Sequence, residues 1–205
     1  MRLFRALVRI PSAAMIYEAA IPKDFAVTEQ DELTRLRRGD PAALSAAVNR
    51  YQHRLYRYLF RLVHDPATAD DLFQQTWLNA VRQIRRYDPR RSFDTWLFAI
   101  AHNAAMDLLR RKPGETLDDR DFPAAADPAG DAIAAERSEI LEEQMAALPA
   151  LYREVLVLRF EEDMKLEEIA EVTGAPLSTV KSRVQRAIET LRQRMSPRWR
   201  KEDLL

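Results

Sequence analysis

The chain contains no cysteine, only four glycines and 8% aromatic residues. Without thiols there are no disulfide staples, no cysteine-ligated zinc, no iron–sulfur cluster and no thiol chemistry, and a reducing compartment suits the sequence. The scarcity of glycine and of β-branched runs removes what sheets need, whereas Ala, Leu, Arg and Glu are abundant and eleven prolines supply sharp stops. The fold class expected is all-α. Uncharged runs are short too: the longest, Thr95–Met106, has 12 residues, against the ~20 apolar residues that span a bilayer. Stable membrane insertion is therefore not expected. Net charge is also missing, with 32 Lys+Arg against 32 Asp+Glu. That balance excludes a uniformly basic coating protein and a uniformly acidic tail, and leaves local imbalance open. What is present is apolar material, 47% of 205 residues, enough for one or two small domains with real cores.

Catalytic patterns are missing as well. His53, His64 and His102 have no ligand-like spacing, no glycine-rich loop precedes a helix, and no Ser or carboxylate sits in a catalytic motif. No catalytic residue, metal ligand, cofactor or small-molecule substrate is expected, and the chain is read as a non-enzyme. Residues 1–28 begin MRLFRALVRIPSAAM, where Arg2, Arg5 and Arg9 interrupt the apolar residues and Pro11 ends the run. They are expected to be a frayed N-terminal extension rather than a signal peptide, and the protein is expected in the cytoplasm.

From Asp31 to Lys112 apolar residues recur at helical spacing, punctuated by Gly39-Asp40-Pro41, His64-Asp65-Pro66 and Tyr87-Asp88-Pro89. Four helices are predicted. In the first two stops the aspartate can accept an orphan backbone N–H while proline's fixed φ suits the first turn. The third opens a loop, Tyr87–Ser92, before a helix from about Phe93 to Arg111. Residues 113–143 hold ten acidic residues against two basic ones. The first part, 113–135, has Pro, Gly and Asp without periodicity and is expected to be a flexible acidic linker. Helical spacing resumes at about Ala134, pauses at Pro149 and runs on to about Glu162. Two stripes are basic: 82–112 and 181–201 carry eight cations each, against three acids and one acid. Two cationic surfaces joined by an acidic tether suit a protein that faces nucleic acid twice.

The sharpest local pattern is LEEIAEVTGAPLSTVKSRVQRAIETLR, residues 166–192. It reads as helix, tight turn, helix, with Gly174 where the turn needs positive φ. Leu177, Val180, Val184, Ile188 and Leu191 form the buried stripe of the second helix. Ser178, Thr179, Lys181, Ser182, Gln185 and Arg186 then point outward from its N-terminal half, the part that enters a major groove in helix-turn-helix docking. Arg and Lys pair with guanine edges, Gln with adenine and hydroxyls with phosphates. Cations beyond it, Arg192, Arg194, Arg198, Arg200 and Lys201, suit phosphate contacts, with 198–205 as a basic C-terminal tail. Further upstream, Tyr87, Phe93, Trp96 and Phe98 interleave with Arg85, Arg86, Arg90, Arg91, Arg110 and Arg111. Rings beside cations suit single-stranded DNA, because aromatic faces stack unpaired bases while Arg follows the backbone. The same Phe93, Trp96, Leu97 and Ile100 also fit a buried helical stripe, and Trp96 taken alone is expected in the core. Composition does not choose for Asp70, Asp71, Gln74, Gln75 and Asn79, which face outward as an ordinary soluble surface or as a dock for a basic partner helix.

Taken in order, these blocks resemble the sigma-70 family of bacterial transcription initiation factors, specifically the extracytoplasmic-function (ECF) group, over roughly Asp31–Met195. DPATADDLFQQTWLNAV is similar to the segment that binds the β′ clamp helices of core RNA polymerase. SFDTWLFAIAHNAAMDLLRRK is similar to the segment that reads the −10 element and melts DNA, and the stretch from LPALYREV to IETLR is similar to the −35 reader. The resemblance implies two domains, region 2 at 29–112 and region 4 at 136–197, and the following roles. Asp70, Asp71, Leu72, Gln74 and Gln75 would bind polymerase, Gln75 standing where the family often has Glu. Arg85, Arg86, Tyr87, Asp88, Arg90, Arg91, Ser92, Trp96 and Asn103 would handle the −10 element, with Arg90-Arg91 in place of a Gly-Asp type of loop. Ser178, Thr179, Lys181, Ser182, Arg183, Gln185 and Arg186 would read the −35 element. Implied partners are core polymerase through its β′ clamp helices and β flap, promoter DNA, and an anti-sigma factor. The competing expectation is a dimeric helix-turn-helix repressor or activator that is no polymerase subunit.

Overall fold

A computed structural model describes residues 29–111 and 141–195. The N-terminal extension, the acidic linker and the basic tail expected from the sequence lie outside the described residues, as do residues 136–140. Among the described residues there is no strand. The described residues divide into two compact units, the first mainly residues 29–108 and the second mainly residues 141–195.

The first unit holds four helices: α1, Glu29–Arg37; α2, Pro41–Val63; α3, Pro66–Gln83; and α4, Phe93–Leu109. A 3₁₀ turn, Ile84–Arg86, follows α3. The Asp-Pro stops work as the sequence requires. Asp40 Oδ1 accepts the Ala42 N–H at 2.9 Å ahead of Pro41, and Asp65 Oδ2 accepts the Thr68 N–H at 2.8 Å ahead of Pro66. Each satisfies an orphan donor of the helix it starts. Arg35 Nε donates to Asp40 Oδ2 at 2.8 Å, and that hydrogen bond, with the Ala42 N–H, holds the Asp40 carboxyl below its ordinary value. The contribution of this cap is thus complete above the usual carboxylate range and is lost as pH falls through the lowered value. At its far end α2 closes on His64 in the left-handed region, φ 52°, whose N–H donates to the Phe60 carbonyl at 2.8 Å.

The core of this unit follows the helical period. Leu44, Leu55, Tyr58, Leu59 and Leu62 of α2 are fully buried, with Trp77 of α3 and Leu97 and Phe98 of α4. Tyr58 meets Phe98 edge-on, ring centroids 5.1 Å apart. Buried Glu32 of α1 pairs with Arg50 of α2, so this acid drawn into the packing has its countercharge.

In the second unit α5, residues 141–146, precedes α6, Ala150–Leu156, which widens into a π turn at Val157–Glu161. Then come α7, Leu166–Thr173, and α8, Leu177–Met195. Leu148, Tyr152 and Leu156 pack with Ala187, flanked by Met145, Val184, Ile188 and Leu191. Between α7 and α8 the chain turns at Gly174, φ 65°. An added Cβ there meets no atom within 4 Å, so the need for glycine is conformational rather than steric. Gly174→Ala is expected to lower stability by about 1 kcal/mol, the left-handed penalty of an L-residue, with Gly174→Asn costing less; urea unfolding of the full chain measures both.

Candidate functional site

Three surfaces carry the residues singled out from the sequence. On α3, Asp71, Gln74 and Gln75 are exposed and Asp70 is half-buried. Their spacing keeps them on one side of the helix, and Gln75 Nε2 donates to Asn79 Oδ1 at 3.0 Å. Leu72 is different: it is 5% exposed in the core beside buried Phe73. Its role is corrected to packing, because a side chain so covered offers a partner no area. The sequence also missed a neighbour of this row. Burial, then the carboxylates of Asp70 and Asp65, push the Tyr56 phenol up, and Tyr56 stacks on Phe60 with centroids 6.3 Å apart. The only advance signal was their spacing of four on α2.

The second surface is the loop between the 3₁₀ turn and α4. Asp88, Arg90, Arg91 and Ser92 are exposed, as are Arg85 and Arg86 on the turn. The loop is internally tied: Asp88 Oδ1 accepts the Arg90 N–H at 3.0 Å, and the Arg91 N–H donates to the Asp88 carbonyl at 3.0 Å. At its end Ser92 accepts twice, through Oγ from the Thr95 N–H at 3.4 Å and through its carbonyl from the Trp96 N–H at 3.1 Å, so it starts α4. Tyr87 is a second correction. It is 3% exposed, its hydroxyl donates to the Arg91 carbonyl at 2.5 Å, and its ring packs on Phe93 and Trp96. A base cannot stack on a face already covered; Tyr87 shapes the loop from beneath. Phe93 and Phe98 are buried as well, leaving Trp96, half-buried, as the ring of the four with open area. Asn103 is exposed two turns further along α4, roughly 10 Å beyond Trp96 at 1.5 Å per residue.

The third surface is the first half of α8. Ser178, Lys181, Ser182, Gln185 and Arg186 are exposed, Thr179 and Arg183 half-buried, and Val180 and Ala187 buried opposite. Ser182 Oγ donates to the Thr179 carbonyl at 2.9 Å, which settles its proton within the helix and leaves its oxygen to accept. Leu177 opens α8 two residues beyond Ala175, and on α7 Glu168 accepts the Lys165 N–H at 2.7 Å. The helix pair is therefore capped at its start and fixed by Gly174 at its turn. Among the described residues no group of three or more His, Cys, Asp or Glu is placed to hold a metal ion, and no helix is long and apolar enough to cross a membrane.

A helix-turn-helix with an exposed polar second helix, and a separate helical unit bearing a cationic loop, define a DNA-binding protein of two modules. Comparison with known proteins narrows the class. Residues 47–113 match the family model for sigma-70 region 2, and residues 138–191 the one for sigma-70 region 4. The RNA polymerase sigma-H factor of Pseudomonas aeruginosa is 33% identical over 184 residues, covering 82% of this chain and 95% of that protein. The ECF RNA polymerase sigma factor SigW of Bacillus subtilis is 28% identical over 176 residues, covering 80% and 94%. Among solved structures, CnrH in complex with the cytosolic domain of CnrY is similar, with TM-score 0.60, 25% identity and coverage of 79% of this chain and 93% of that one. The sigma factor RpoE, in complex with the anti-sigma factor NepR from Bartonella quintana, shares the fold at TM-score 0.57 and 23% identity over 73% of this chain and 94% of that one. The chain belongs to the sigma-70 family of RNA polymerase sigma factors, in its ECF group. A dimeric helix-turn-helix regulator is not favoured.

Proposed function

We propose that this sigma factor docks on core RNA polymerase through the α3 row, reads a −35 element with α8, and captures melted −10 bases on the loop at residues 88–92. It carries out no reaction itself. The polymerase transfers nucleotides, while the factor lowers the cost of opening DNA by binding the parted strand in preference to the duplex, which is what a shift of population requires. The observation that carries this reading is the pairing of the two family segments with exposed polar surfaces on each unit, the α3 row and the loop at residues 88–92 on the first and the first half of α8 on the second.

Residues 29–112 and 136–197 are the proposed functional domains. Asp70, Asp71, Gln74 and Gln75, with Tyr56 and Phe60 beside them, would meet the β′ clamp helices. Arg85, Arg86, Asp88, Arg90, Arg91, Ser92, Trp96 and Asn103 would meet the −10 strand; Ser178, Thr179, Lys181, Ser182, Arg183, Gln185 and Arg186 would meet the −35 duplex. The second unit would also face the β flap, and an anti-sigma factor would cover these surfaces in the uninduced cell. With these partners the protein would work in the cytoplasm. The test is transcription by core polymerase stripped of its own specificity subunit, on a genomic promoter library. Adding the chain is expected to give discrete promoter-directed starts; no start above the core-only background refutes the function.

A further inference from the structure

The carboxylate of Asp94 sits in the first turn of α4, where the helix dipole favours an anion. Both of its oxygens are used by side chains of α2. Tyr51 donates its hydroxyl to Oδ1 at 2.5 Å, and Arg54 Nη1 donates to Oδ2 at 2.7 Å. Tyr51 and Arg54 are three residues apart, so they share a helix face. The Arg54 guanidinium is further placed by two rings, 5.7 Å from the Tyr51 centroid and 5.6 Å from that of Phe98.

From the same point a chain of contacts runs to the loop. Tyr51 packs on Phe93 at 5.4 Å, Phe93 on Tyr87 at 5.6 Å, and the Tyr87 hydroxyl holds the Arg91 carbonyl. Both ends of the loop are thus referred to one patch of α2, the leading end through Tyr87 and the trailing end through Asp94. As a source of stability the ion pair is minor. Its side chains are 35% and 30% exposed, and solvent-screened pairs contribute little. A carboxylate held at both oxygens by groups 43 and 40 residues away in sequence acts chiefly as a geometric constraint, and small displacements of a binding group are costly.

We propose that Asp94, held by Tyr51 and Arg54, is a positioning residue that sets the loop at residues 88–92 for base capture without itself contacting DNA. The proposal rests on the reading of that loop as the site of an unpaired base. It is tested on holoenzyme assembled from core polymerase and the full chain, bound to four pre-melted templates that differ in one non-template base at the captured position. Asp94→Asn and Arg54→Lys are expected to flatten the discrimination among the four by about tenfold, the scale of one lost hydrogen bond to a charged group. Affinity for core polymerase and for the −35 duplex should stay as in the unsubstituted protein. Tyr51→Phe keeps the ring and should flatten discrimination by a smaller factor, which preserves the test if Asp94→Asn loses helical circular dichroism. Equal weakening on all four templates, or full discrimination retained in folded Arg54→Lys and Tyr51→Phe, overturns the proposal. If the unsubstituted holoenzyme itself does not discriminate, base capture by the loop is the reading that has failed.

Discussion

Replacing Lys181, Gln185 and Arg186 together with alanine is expected to lower holoenzyme affinity for the upstream promoter element by more than ~100-fold. All three are exposed on α8. Each base-edge contact is worth ~1–3 kcal/mol of discrimination, so even sub-additive loss reaches that factor. Alanine is the best helix former, and the buried side of α8, Val180 and Ala187, is untouched, so the loss would not come from unfolding. Arg192 supplies the contrast. Exposed and paired with Glu189 at 3.1 Å, it lies beyond the first half of the helix. Arg192→Ala should weaken binding modestly, to a similar degree on all sequences, and reduce the salt slope, as a phosphate contact does. Competition binding on a panel of upstream sequences at several salt concentrations measures both, and a triple variant that retains the preference of the original removes α8 as the reader.

The second large effect concerns polymerase docking. Asp71→Lys combined with Gln74→Lys should weaken association with core polymerase by about 100-fold, since like charges brought together at an interface cost several kcal/mol. Both side chains are exposed on α3 and neither supports the core. Affinity is measured by titrating labelled full-length chain with core enzyme. Binding to pre-melted −10 DNA, measured with core polymerase saturating, should be unchanged in the variant. Unaltered affinity for core polymerase would place the dock elsewhere.

These expectations draw on parts of the molecule that differ in how far they could be read from sequence. Local devices were legible: the Asp40 and Asp65 caps and the Gly174 turn each depend on residues within three or four positions, and each occurs as the sequence reading expected. So was the all-α class, because the 3.6-residue period continues through every long segment. Ends were less so. The spacing carried α4 to Arg111, whereas the helix ends at Leu109, and the spacing did not reveal the 3₁₀ turn at Ile84–Arg86 after α3. Apolar spacing also cannot reveal the π turn at Val157–Glu161, which is a change of hydrogen-bond partner, with the Glu162 N–H donating to the Val157 carbonyl at 3.1 Å.

The candidate surfaces divide in the same way. Lys181, Ser182 and Gln185 could be placed outward because the apolar stripe of their own helix fixes the face. Tyr87 could not, because rings among arginines fit base stacking and core equally; its burial depends on Phe93 and Trp96, which the loop brings back over it. Leu72 belongs to the apolar stripe of α3 and was assigned a docking role only through family position, against its own burial. Asp94 gave no signal, since its partners Tyr51 and Arg54 lie on another helix.

On the proposed function, one promoter is gripped at two unlike elements by two modules of one chain. Selection from a library with both upstream and start-proximal segments randomised, using the full chain with core polymerase, tests this most directly. Two dissimilar elements at a fixed separation are predicted, the upstream one disappearing from the selection when Lys181, Gln185 and Arg186 are replaced. A single palindromic element, or selection independent of core polymerase, would contradict it.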